Sequence, residues 1–114
     1  MPRHMSFAHT TQQVLDRSKT VTRRLGWHSL AVGTELIAVR KSMGLKRGER
    51  VERLARIRVT DVRRERLCFI DRADVKREGF ERMTVTQFVE HFCALMRCEP
   101  LDYVTRIEFE YVDD

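Results

Sequence analysis

Lys19, Thr20, Val21, Thr22, Arg23 and Arg24 place an amine, two hydroxyls and two guanidinium groups within six consecutive residues. Gathered in a cleft, such groups could perform acyl transfer. A lysine of lowered pKa takes a proton from a threonine hydroxyl, the oxygen becomes a nucleophile, and an arginine holds a polar or anionic substrate. Side chains alternate along a regular strand, so Thr20, Thr22 and Arg24 point one way and Lys19, Val21 and Arg23 the other. A bend or bulge is therefore required to bring Lys19 to Thr22, and without one the stretch is a basic edge strand. Glu78, beside Gly79 and Phe80, is either an exposed helix-end carboxylate or a partner for Lys19, and spacing leaves both open. Trp27 is either a core anchor or a platform on which a base stacks. His28 and His91 read as surface or packing residues. Cys93 and Cys98 have four residues between them, which on a helix points them to different faces, so no metal site is expected. Neither a glycine-rich phosphate loop nor a dinucleotide fingerprint occurs, and no cofactor is expected.

The elements that must position these residues follow from periodicity. Thr10 and Gln13 have capping-box spacing, which predicts a short helix ending near Ser18. The β-branched residues at 20–22 and the apolar run at 36–39 predict strands. Gly44 and Gly48 bound a basic loop. From Leu54 to Val62 apolar residues alternate with Arg56, Arg58 and Thr60, a strand with one apolar and one basic, solvent-facing side. Asp71 caps one or two helical turns that Gly79 ends, and Thr84 with Gln87 caps the longest helix, whose apolar positions run from Val85 to Met96. Thr105, Ile107, Phe109 and Tyr111 alternate with charged residues in the clearest strand. Strands mixed with short helices, without a regular strand-helix-strand rhythm, define an α+β class.

At 114 residues the chain suits one domain with one core, and its net charge of +5 attracts polyanions. Eleven of its 22 Lys and Arg lie between Arg40 and Arg66, whereas residues 99–114 carry six acids and only Arg106. Either the basic segment is a solvated strand face or it tracks phosphates. The absence of a long apolar run or a signal-peptide pattern predicts a cytoplasmic protein without membrane partners, in which the three cysteines stay reduced.

The 19–24 motif, Gly33 with the strand at 36–39, the Glu78-Gly79-Phe80 turn and the closing strand at 104–109 together resemble the ASCH domain of the PUA-like superfamily. The resemblance covers nearly the whole chain. It implies a small curved β-barrel flanked by short helices, a single domain over 1–114, and a cleft that faces RNA or a nucleoside. One branch, the bacterial N4-acetylcytidine amidohydrolases, hydrolyses the acetyl amide of the modified nucleoside with a lysine, a threonine three residues later and a downstream glutamate. By motif position Lys19, Thr22 and Glu78 match these catalytic groups, with Glu81 as second choice for the carboxylate. Arg24 matches the arginine two residues beyond the threonine, and Arg23 and Trp27 join it as candidate substrate contacts. The second arginine, Arg23, and a basic insertion at 41–53 depart from that pattern. Lys41, Lys46, Arg47 and Arg50 in the insertion suit a longer nucleic acid. Two alternatives stand beside hydrolysis: a non-catalytic module recognising RNA or a modified base, and a ribonuclease in which Lys19, Arg23, Arg24 and a carboxylate stabilise phosphate charge.

Overall fold

The computed structural model describes residues 2–113. Five strands, β1 (Arg3–Ser6), β2 (Val21–Arg24), β3 (Glu35–Val39), β4 (Arg53–Arg66) and β5 (Tyr103–Val112), form one sheet in the order β1-β3-β4-β5-β2. β1 runs parallel to β3, and the other pairs are antiparallel. A bulge between Val59 and Asp61 on β4, where one residue has no partner on β5, adds the local bend that curls the sheet. The result is a half-barrel whose edge strands, β1 and β2, come near each other. Arg24 Nη2 of β2 donates to the Ser6 carbonyl of β1 at 2.6 Å, spanning the gap.

Both sides of β5 are covered, for different reasons. Ile107 and Phe109 face the barrel interior with Met5, Phe7, Leu36, Ile57 and Val59. Val104 faces outward into a second core with Val75, Phe88, Val89 and Phe92. These come from α2 (Arg72–Arg77) and α3 (Val85–Met96), which pack on the outside of the sheet. The caps predicted for α2 and α3 both form. Asp71 accepts from the Asp74 amide, and Thr84 and Gln87 make the reciprocal capping box. Gly79, at φ 100°, ends α2, and a Cβ there would lie 2.6 Å from Gln13 Cγ.

Three local expectations are corrected. β1 carries no β-branched residue and was not anticipated as a strand. The first helix, α1 (Thr11–Leu15), stops three residues before Ser18, and Thr10 makes no side-chain cap. The Gln13 side chain lies against Gly79, and the Thr11 hydroxyl donates to the Phe7 carbonyl. The basic side of β4 is paired, because Glu35 of β3 accepts from both Arg56 and Arg58. Among the described residues no helix is long and apolar enough to cross a membrane.

Candidate functional site

Lys19 precedes β2, so the alternation of the strand does not govern it. Its carbonyl accepts from the Tyr111 hydroxyl at 2.6 Å, and its amide donates to Gln13. Thus anchored, its ammonium reaches the end of α2 and donates to Glu78 Oε1 at 2.8 Å and to the Glu78 carbonyl at 2.9 Å. Lys19 and Glu78 are buried. Thr22 stands on the inner face of β2 opposite Ile107, with Oγ1 accepting from Arg24 Nε at 3.2 Å. The alternation thus separates Thr22 and Arg24 from Val21 and Arg23 within the strand. A cavity opening beside this edge strand nevertheless receives groups from both faces.

That cavity has a volume of about 210 Å³. Lys19, Thr22, Arg23, Arg24 and Glu78 form its polar part, and Phe7, Phe80, Phe88 and Phe92 line it with α3 residues Leu95 and Met96. His91, which the sequence gave no role, also lines it and meets Phe80 edge-on at 5.4 Å between centroids. Its signal was its place on α3 one residue from Phe92 and three from Phe88, on the apolar stripe. Trp27 is absent from the lining. It packs against the barrel core with Arg3 stacked 4.3 Å from its ring centroid. Glu81 is exposed and lies 3.9 Å from Lys76, outside the cavity lining. Lys41, Lys46, Arg47 and Arg50 lie in the β3–β4 loop and do not line the cavity. The loop leaves β3 beside the cavity wall, where the Phe7 amide donates to Val39 and the Ser6 hydroxyl to Arg40. Lys41 pairs with Glu49 at 3.5 Å.

The electrostatics divide the arginines by role. Burial pushes Arg24 down to about 10, with the Glu78 charge pulling it back, so it remains a cation at neutral pH. Burial likewise holds Lys19 below its ordinary value against the pull of Glu78. Arg23 behaves differently. Burial would lower it, yet the Glu78 charge and hydrogen bonds to Asp74, Glu65 and Glu78 outweigh that and raise it. Its Nη1 meets Glu78 at 3.0 Å, and its Nη2 meets Asp74 at 2.7 Å and Glu65 at 2.9 Å. Arg106 grips the same Asp74 through two nitrogens at 2.6 and 3.0 Å. Arg23 therefore orients Glu78 from behind while satisfying its own charge on three acids.

Asp74 stands between two arginines, and that sets an acid limit on the fold. Burial alone would raise it, but bonds and charges from Arg106 and Arg23 hold it well below the usual aspartate value. A depressed carboxylate gives stability that is complete above its unfolded pKa, 3.8, and is lost as the pH falls below it towards the folded value. Melting temperatures between about pH 2 and 6 are expected to drop towards the acid end, and Asp74→Asn to flatten that limb. An unchanged limb would show that Asp74 does not set it.

The architecture is a small α+β fold, a curled five-stranded sheet flanked by short helices. No family model matches the sequence, and no curated protein matches it. Solved structures do share the fold. An ASCH domain from Lactobacillus crispatus JV V101 superposes with a TM-score of 0.66 at 13% identity, over 96% of this chain and 78% of that one. A protein of Enterococcus faecalis V583 described by the family model DUF984 gives 0.67 at 19% identity, over 99% and 81%. The hypothetical protein PH0355 gives 0.68 at 14% identity, over 98% and 100%. The chain thus has the fold of an ASCH domain.

Proposed function

We propose that this chain binds RNA or a nucleoside derived from it and hydrolyses an N4-acyl amide, as in N4-acetylcytidine, within the cavity. The observation that carries the proposal is the convergence of the buried Lys19–Glu78 pair, the Thr22 hydroxyl and the Arg24 guanidinium beside a wall of phenylalanines. The aromatic wall suits a planar base, and the polar groups suit an acyl amide projecting from it.

The chemistry draws on the Lys19–Glu78 contact and on the cavity that Lys19 and Thr22 share. As the ligand displaces water, the Lys19 proton moves along the 2.8 Å contact to Glu78, leaving a neutral amine. That amine takes the Thr22 proton, and Oγ1 attacks the amide carbonyl carbon. Arg24 meets the developing oxyanion through Nη1, which neither of its bonds to Thr22 and Ser6 uses. Glu78 returns its proton to the leaving amine as the C–N bond breaks. Water then gives a proton to the same carboxylate and its oxygen attacks the acyl carbon. The ester C–O bond to Thr22 breaks, Lys19 returns a proton to Oγ1, Glu78 passes its own to Lys19, and the acid leaves. Incubation with N4-acetylcytidine, followed by chromatography for cytidine and acetate, tests this reading. Saturable binding with no product assigns the cavity to recognition alone, a reading favoured by the two bonds that already occupy the Lys19 ammonium.

The basic loop extends the site towards a polymer. Among the described residues the side chains of Lys46, Arg47 and Arg50 make no ion pair, so their charge is available to phosphates. Replacing the three by Ala is expected to reduce the slope of log affinity against log salt for single-stranded RNA by about 2, at roughly 0.7 for each lost contact. Fluorescence anisotropy across a salt series measures it, and an unaltered slope would place the phosphates elsewhere.

A further inference from the structure

α3 ends with Arg97 in the left-handed conformation, φ 54°. The Cys93 carbonyl accepts from the amides of both Arg97 and Cys98, the latter at 3.3 Å, so the chain doubles back on the last turn. In this kind of helix end the side chains flanking the reversal meet, most often as an apolar contact. Here they are two free thiols, with Cys98 Sγ donating to Cys93 Sγ at 4.0 Å. A continuous helix would point these residues to different faces. The single left-handed residue brings them together.

We propose that Cys93 and Cys98 form a redox-active dithiol that a peroxide converts to an intrachain disulfide, clamping the last turn of α3. Cys93 is the attacking group, with Cys98 Sγ already facing its sulfur at 4.0 Å. Its sulfur bonds to one peroxide oxygen, the O–O bond breaks, and one water leaves with a sulfenic acid formed on Cys93. Cys98 then attacks that sulfur. The S–S bond forms, the S–O bond breaks, and a second water leaves. The two sulfurs together lose two electrons and two protons, and the peroxide becomes two waters. Burial, then Cys93 itself, pushes the Cys98 thiol up to about 11, which suits a resolving thiol that does not react first. Closing from contact to a bond of about 2.05 Å is a movement of about 2 Å, within reach of rotations about two short side chains. Leu95 and Met96, enclosed between the two cysteines, line the cavity, so the clamp acts on its wall.

The test treats the whole chain with hydrogen peroxide, alkylates it under denaturing conditions and maps its peptides. The expected product has lost two hydrogen masses, links the Cys93 and Cys98 peptides, leaves Cys68 alkylated and reverts with a thiol reductant. Hydrogen exchange at the Leu95 and Met96 amides slows several-fold in the oxidised form. In Cys98→Ser the mass loss disappears, and dimedone traps a sulfenic acid on Cys93. Three equally alkylated thiols, independent sulfinic acids, a link to Cys68 or a bridge between two chains would each overturn the proposal.

Discussion

Thr22→Ala is expected to lower turnover of N4-acetylcytidine by at least about 10³-fold while leaving nucleoside affinity within a few-fold. The substitution removes a hydroxyl and a methyl group from a buried position whose backbone is held by pairing with Ile107, so the strand keeps its register. The aromatic wall, Arg24 and the Lys19–Glu78 pair all remain. What disappears is the atom that would carry the acyl group, together with the acceptor for Arg24 Nε. Steady-state kinetics and calorimetric binding separate the two consequences. Wild-type turnover in this variant would reduce Thr22 to a ligand contact and remove the covalent step.

Glu78→Ala is expected to destabilise the fold by about 3–5 kcal/mol, because it strands the buried Lys19 ammonium without a counter-charge. Arg23 is less affected, since Asp74 and Glu65 still hold it. Lys19→Met combined with Glu78→Leu should be less destabilising than Glu78→Ala alone, because it removes both charges from an apolar setting. Urea denaturation of Lys19→Met, Glu78→Leu and the pair yields the coupling energy. A loss below about 1 kcal/mol for Glu78→Ala would mean that solvent reaches the pair and screens it.

Local features of this chain were legible in its sequence where neighbouring residues alone determine them. The capping box of Thr84 and Gln87 and the alternation of β5 depend on contacts a few residues apart or on one face of one strand. The capping box at Thr10 failed for a tertiary reason, since Gly79 leaves space that the Gln13 side chain fills. β1 has four residues and little β propensity, and its existence depends on pairing with β3. The site divides in the same way. The 19–24 motif nominated Lys19, Thr22 and Arg24. Nothing local shows that Lys19 meets Glu78 across 59 positions, or that Arg23 is engaged by three acids from distant elements. The charge run on β4 carried no sign of Glu35, which pairs with Arg56 and Arg58 from another strand.

The gap between the two edge strands has a kinetic meaning. Where a closed barrel would require several ladder bonds to part, separation here breaks, among the described residues, one hydrogen bond, from Arg24 to Ser6, a charge-assisted bond of about 1.5–3 kcal/mol. Such a seam can breathe without unravelling its strands. The guanidinium that fastens it through Nη2 is also the one a bound carbonyl would recruit, through Nη1, so latch and guest share one side chain. A nucleotide still tethered to its neighbours can slip in sideways through that slit, with its backbone left outside towards the loop that departs from β3.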